Sequence, residues 1–263
     1  MIKGVLIDLD GVVYQGDNSI EGSKESIEWL QKNNIPHLFV TNTSSKPRKV
    51  IQAKLASMGI NVEQWQIFTP PAAACEWLKQ SSNDRITLIV NPEILEDFQE
   101  INQVSIEAVT PTQFVVVGDL GEAWNFSILN KVFQLLMTNP KPKLIALGMT
   151  KYWKADDGLR LDVAPFVKAL EYASSCEVIV TGKPSPTFYQ QAIKLIDLNP
   201  ENVMMIGDDI NVDVLGAQHV GIKGCLVQTG KFREDDLQGS INPDVILKSL
   251  SELPQIWNGV GIE

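Results

Sequence analysis

The sequence predicts an α/β fold, a doubly wound parallel sheet carrying a second, inserted α/β domain. Three observations carry that reading. Short, near-continuous apolar runs alternate with amphipathic stretches, as βαβ units require. The runs lack the in–out alternation of a sheet with one wet face, so helices are expected over both faces. From Pro71 to Ser174 the same alternation restarts as a set of its own. The expected division is residues 1–70 with 175–263 as one domain, and 71–174 as the insert.

Val5-Leu6-Ile7 lies in the first strand, within a strand-like run from Gly4 to Asp10, and His37-Leu38-Phe39-Val40 forms the second. Ser45 and Pro47 signal a helix start, with Val50, Ile51, Leu55 and Met58 following at helical spacing and Gly59 as the stop. Thr69-Pro70-Pro71 and Asn139-Pro140-Lys141-Pro142 punctuate the insert. Its strand candidates are Ile86–Val90, Phe114–Val117 and Leu144–Leu147, with a helix from Phe126 to Thr138. Val178–Val180 is a further strand, and Ser185-Pro186 opens a helix that sets Phe188, Ala192, Leu195 and Ile196 on one face. Val203-Met204-Met205-Ile206 and Cys225-Leu226-Val227 complete the strand set.

Composition narrows the function. The 263 residues carry a net charge of −10, and 44 % are hydrophobic, as in an ordinary globular chain. An acidic balance disfavours nucleic acid and anionic membranes, which need clustered Lys and Arg. No apolar run approaches the roughly 18–20 residues of a membrane span. With no basic-then-apolar leader, a cytoplasmic location is expected. Cys75, Cys176 and Cys225 are far apart and read as buried hydrophobes, while His37 and His219 are too few for a His-based triad or metal site. Chemistry must rest on carboxylates, Lys and hydroxyls.

In an open parallel sheet, ligands bind beyond the carboxyl ends of the strands. The first strand ends in Asp8-Leu9-Asp10-Gly11, two carboxylates leaving toward one side, and the second in Thr41-Asn42. Thr181-Gly182-Lys183-Pro184 follows Val178–Val180, and Gly207-Asp208-Asp209 ends the next strand, with Asp213 beyond it. Hard oxygen ligands suit Mg²⁺, which keeps waters and substrate phosphate in its shell. Lys183 and Thr41 would hold phosphoryl oxygens, and a carboxylate can attack phosphorus.

These four segments, in this order, resemble the motifs of the haloacid dehalogenase-like (HAD) hydrolases, whose core is Rossmann-like. The large insert between the second and third resembles the α/β cap of the 4-nitrophenyl-phosphatase-like subclass. Thr41-Asn42-Thr43-Ser44-Ser45-Lys46, Val180-Thr181-Gly182-Lys183-Pro184 and Met205-Ile206-Gly207-Asp208-Asp209 are similar to the branch of phospholysine phosphohistidine inorganic pyrophosphate phosphatases. The resemblance implies Asp8 as nucleophile and metal ligand, and Asp10 as general acid and base whose backbone carbonyl touches the metal. It implies Asp208 as the third ligand, and a phosphoryl site made by Asp8, Leu9, Asp10, Thr41, Asn42 and Lys183. Asp213 would support the metal's waters and Lys183, and caps of this type imply contacts in a homodimer.

Blander readings stand beside these. Asp209 reads equally as a residue supporting the site or as an acid at a helix N-terminus. Trp65, Trp77 and Trp124 read as packing. In the insert, Lys151-Tyr152-Trp153-Lys154, then Asp156-Asp157-Gly158 and Arg160, interleave aromatics with cations that could engage an anionic substrate. Residue by residue, the same segment reads as an edge strand with solvated lysines and one buried ring. The expected function is a Mg²⁺-dependent phosphatase for a small phosphorylated molecule, pyrophosphate or a phosphoamidate. The alternative is an idle or phospho-accepting protein on the same fold. A phospho-acceptor lacks both the insert and a second carboxylate like Asp10.

Overall fold

The computed structural model describes residues 1–80, 85–107, 111–155 and 158–257, with the Lys154 and Ala155 side chains left out. They form two compact units: Met1–Thr41 with Arg48–Phe68 and Lys183–Glu263, and Asn42–Pro47 with Thr69–Gly182. The first unit begins with β1 (Gly4–Asp8), a small hairpin of β2 (Tyr14–Gln15) and β3 (Asn18–Ser19), α1 (Ser23–Lys32), β4 (His37–Val40), α2 (Arg48–Ser57) and β5 (Ile67–Phe68). The second unit holds α3 (Pro70–Leu78), β6 (Ile86–Ile89), β7 (Phe114–Val117), α4 (Phe126–Leu136), β8 (Lys143–Ala146), β9 (Tyr152–Ala155), β10 (Gly158–Leu161), α5 (Val163–Ser174) and β11 (Val178–Val180). The chain returns to the first unit with α6 (Pro186–Leu195), β12 (Val203–Gly207), β13 (Lys223–Val227) and β14 (Val245–Leu247).

The first unit is built on a six-stranded sheet, β14-β13-β12-β1-β4-β5, in which every neighbouring pair is parallel. The chain moves from β1 outward to β4 and β5, then resumes on the other side of β1 with β12. That reversal opens a crevice beyond the carboxyl ends of β1 and β12. Register fixes what lies there: Ile7 pairs with Ile206 and Asp8 with Val40, so Asp8, Thr41 and Asp208 leave the sheet at one edge.

All five residues of β1 and of β12 are buried. Ile27 and Leu30 of α1 and Ile51 and Leu55 of α2 pack in one cluster with Val5, Ile7, Phe39, Met204 and Ile206. Phe188 of α6 meets Phe68 edge-on, with ring centroids 5.1 Å apart. Each such side chain stabilises the fold by about 1.5–3 kcal/mol on leaving water, which lets the sheet carry charged groups that burial disfavours. Val50, grouped from its spacing with Ile51 and Leu55, instead turns outward and is exposed.

The second unit has its own parallel sheet, β11-β8-β7-β6, and an antiparallel pair, β9 and β10. Val178–Val180 corrects the sequence reading: this strand pairs with β8 in the second sheet, not with the strands that carry the acidic motifs. Apolar content marks a strand but says nothing of its partner. Thr69-Pro70-Pro71 is a helix start, with Thr69 Oγ1 accepting from Ala72 N at 3.3 Å. Proline is tolerated there because the first-turn N–H groups need no helical partner. Trp77 packs edge-on against Phe114 and Trp124 stacks on Phe166, whereas Trp65 is exposed. Among the described residues, no helix is long and apolar enough to cross a membrane. All three cysteines are buried, and among the described residues none forms a disulfide.

Candidate active site

Asp8 is the last residue of β1, and a strand buried on both faces carries its carboxylate into the protein with 7 % exposure. The Leu9 backbone N–H donates to it. Lys183 Nζ lies 2.8 Å from Asp8 Oδ1 and 2.7 Å from Asp213 Oδ1, so one buried ammonium bridges two buried carboxylates. Burial works against the Lys183 charge, but Asp213 and Asp8 outweigh it and raise its pKa.

Asp213 reaches this position through an unusual turn. Residues Ile210–Leu215 form a π-helical turn, in which Val214 N donates to Asp209 O at 3.3 Å. Asp209 caps it, its Oδ1 accepting from Asn211 N and Val212 N, both at 3.0 Å. Asp209 thus stands at a helix N-terminus, and its Oδ2 also lies 3.7 Å from Lys231 Nζ. The Asp213 side chain lies so close to Gly207 that a Cβ there would collide with it, and Asp209 N donates to Asp213 Oδ2 at 3.2 Å.

Asp208 follows β12 directly and is 1 % exposed. Its Oδ2 accepts from Lys231 N at 2.7 Å, while its Oδ1 is buried without a hydrogen-bond partner. An orphaned carboxylate oxygen in the interior is costly and calls for a cation or donor. Asp8, Asp208 and Asp213 each offer an oxygen, all within 4.8 Å of one another. Set against the Lys183 ammonium, these three carboxylates leave two negative charges unbalanced, the deficit that one divalent cation would remove. Asp213 already has an ammonium on one oxygen and an amide on the other, so the free Asp208 oxygen is the better ligand.

Burial raises the pKa of Asp8, against Lys183; that of Asp208, against the Lys231 N–H; and that of Asp213, against Lys183. Raised carboxylates contribute stability that is complete below their ordinary range and is lost as pH rises through their folded values. A divalent cation requires the ionised forms and reverses that loss. The thermal stabilisation given by a divalent cation should therefore be small near pH 5 and grow toward pH 7.5. Calorimetric scans with and without cation check this, and a gain that shrinks with rising pH contradicts it.

Thr41 is buried one residue beyond β4, its N–H donating to Phe68 O at 3.1 Å. Leu9 is fully buried, and Asp10 is exposed in a loop bridged to Tyr14, whose phenol is pushed up to about 12 by burial, Asp10 and Asp8. Asn42 belongs to the second unit, as do Lys151, Tyr152, Trp153 and Arg160. Tyr152 and Trp153 are 57 % and 46 % exposed, so neither ring is the buried one expected, because the two-stranded β9–β10 pair offers no core to receive it. Lys151 is exposed and Arg160 lies 3.4 Å from Glu122. The Lys154 side chain, Asp156 and Asp157 lie outside the described residues.

Sequence reasoning missed one segment. Beyond β13, Thr229 Oγ1 donates to Gly11 O at 2.5 Å, next to the Lys231 N–H bond to Asp208. Burial works to lower the Lys231 ammonium's pKa, but Asp208, Asp209, Asp8 and Asp213 outweigh it and raise it. The signal was present: Thr229-Gly230-Lys231 repeats the triplet Thr181-Gly182-Lys183 at the end of an already recognised strand.

Residues 5–103 match a family described as haloacid dehalogenase-like hydrolase, and 180–253 one described as HAD-hydrolase-like. The chain is similar to the human phospholysine phosphohistidine inorganic pyrophosphate phosphatase, 36 % identical over 95 % of this chain and 92 % of that protein. It is also similar to haloacid dehalogenase-like hydrolase domain-containing protein 2 of Pongo abelii, 37 % identical over 92 % of this chain and 90 % of that one. Among solved structures, 4-nitrophenylphosphatase from Thermotoga maritima superposes with a TM-score of 0.84, at 28 % identity and 97 % coverage of both chains.

Proposed function

The chain belongs to the haloacid dehalogenase-like hydrolases, and on that premise we propose that it is a Mg²⁺-dependent phosphatase working through an aspartyl-phosphate on Asp8. The substrate class we propose is a small phosphorylated metabolite, pyrophosphate or a phosphoamidate, the last two because of the names its relatives carry. The observation that carries the reading is the buried carboxylate cluster, with Asp8 held by Lys183 and Asp208 keeping one oxygen unpartnered.

In the first step Asp8 attacks phosphorus and the bond to the leaving atom breaks, oxygen in an ester or pyrophosphate and nitrogen in a phosphoamidate, with Asp10 giving that atom its proton. In the second, water attacks the same phosphorus, Asp10 takes the water's proton, and the Asp8–phosphorus linkage breaks to release phosphate. Lys183, with Thr41, would hold phosphoryl oxygens and balance the charge that develops on them. Asp213 keeps the Lys183 ammonium in place, and the Leu9 N–H steadies the Asp8 carboxylate. Mg²⁺, held by Asp8, Asp208 and the Asp10 backbone carbonyl, would supply electrostatic stabilisation of the transferring phosphoryl group.

The test is release of 4-nitrophenolate from 4-nitrophenyl phosphate with Mg²⁺ and with EDTA. Activity should require the metal, and Asp208→Ala should weaken Mg²⁺ binding by roughly 100-fold or more while leaving the circular dichroism of the fold unchanged. Full activity in EDTA, or an unaltered magnesium requirement in the variant, would refute the assignment. Comparing kcat/KM across phosphoesters, pyrophosphate, phosphohistidine and phospholysine then fixes the substrate class.

A further inference from the structure

The turn Thr229-Gly230-Lys231 lies outside the four motifs, yet it meets one oxygen of Asp208 twice, through Lys231 N and through Gly230. We infer that this turn is a strap that fixes the Asp208 carboxylate for one-oxygen metal binding, and that Thr229 is its positioning residue. The inference rests on the magnesium reading above and adds to it the device that sets the metal affinity.

A carboxylate beyond a strand end can rotate and present either oxygen, or both, to a cation. Here Lys231 N donates to Oδ2 at 2.7 Å, which leaves only Oδ1 unpartnered. Gly11 and Gly230 close on Oδ2 from opposite loops, both with left-handed backbones, at φ 85° and 61°. A Cβ at either position would collide with that oxygen, so the carboxylate is walled in by backbone. The two walls are tied together by Thr229 Oγ1 donating to Gly11 O at 2.5 Å. β1 and β13 are not neighbours in the sheet, since β12 lies between them. The Thr229 hydroxyl therefore spans the end of β12 and closes a bridge over the residue that follows it. Gly11 also adjoins Asp10, so the same bond steadies the loop that carries the proposed acid. Groups that orient a metal ligand without touching the metal typically set affinity by 10–100-fold.

Thr229→Val keeps the shape and removes the hydroxyl; Thr229→Ser restores it. With Mg²⁺ alone as the probe, titration calorimetry and the magnesium-induced shift in Tm should show Thr229→Val binding about 10-fold more weakly. Thr229→Ser should stay close to the parent. kcat at saturating magnesium should fall less than the magnesium activation constant rises. A purely structural role would instead lower the metal-free Tm and leave magnesium affinity unmoved. Gly230→Ala gives an independent reading that does not depend on Thr229→Val folding, with Gly121→Ala as its control. Both glycines have positive φ, but the ideal Cβ at Gly121 meets nothing within 4 Å. Only Gly230→Ala should lose magnesium affinity. Thr229→Val and Gly230→Ala binding Mg²⁺ within twofold of the parent would overturn the strap alone. A parent protein that neither binds Mg²⁺ nor needs it for hydrolysis would overturn the magnesium reading and the strap with it.

Discussion

Asp8→Asn should abolish turnover of every phosphorylated substrate, with good and poor leaving groups alike, while leaving the metal-free protein at least as stable. The activity loss is expected to be roughly 10⁴-fold or more, since an amide cannot replace a carboxylate as nucleophile toward phosphorus. The stability half follows from the opposite side of the same fact. Burial raises the pKa of Asp8 despite Lys183, so ionising this carboxylate costs the folded state free energy. Asparagine removes that charge at nearly constant volume, and Lys183 retains Asp213 at 2.7 Å. Steady-state assays together with thermal scans at pH 7.5 in EDTA check both halves. Residual turnover within tenfold of the parent would remove Asp8 from the nucleophile's role, and a large fall in Tm would make it a structural partner of Lys183.

Asp10→Asn should separate the two steps. General acid–base catalysis contributes roughly 10²–10⁴-fold, and how much of it the first step needs depends on the leaving group. 4-Nitrophenolate departs without a proton, whereas an alkoxide does not. The variant should therefore keep more of the first step with 4-nitrophenyl phosphate than with an alkyl phosphate. Its second step should be slow with both, because no base draws a proton from the attacking water. Rapid mixing should show a burst of nitrophenolate and then a slow steady state, with labelled phosphate trapped on Asp8. The exposed setting of Asp10 suits this role, since both the leaving group and the water arrive from outside the packed sheet. Equal loss with both substrates, no burst and no trapped phosphate would leave Asp10 as support for the loop.

The parts of the site that could be read from the sequence are those fixed by strand ends. Val5-Leu6-Ile7 and Val203 to Ile206 are apolar because helices cover both faces of β1 and β12, and the first polar residues after them must emerge at the carboxyl edge. Asp8 and Asp208 were legible for that reason. What stayed hidden depends on three-dimensional partners. Val178–Val180 looks like any buried strand, and only its ladder with β8 assigns it to the second sheet. The π-helical turn that brings Asp213 back against Gly207 follows no hydrophobic period. Thr229 and Gly11 are bonded across 218 positions of sequence, a pairing no local pattern encodes. Tyr152 and Trp153 show the converse: aromatic strand residues suggest packing, but a two-stranded ribbon leaves both rings exposed.

The strand order also governs when the enzyme can exist during its own synthesis. β1 sits centrally in the finished sheet, yet its neighbour β12 is made almost two hundred residues after it, and the whole second unit is translated in between. Until Val203–Gly207 leaves the ribosome, β1 has β4 on one side and an open edge on the other, the kind of edge that recruits foreign strands. The second unit's sheet draws only on Ile86–Val180 and can close earlier. Asp8 and its buried neighbours therefore come together only after Asp213 has been made, and a nascent chain stalled before β12 carries Asp8 on an exposed, aggregation-prone strand.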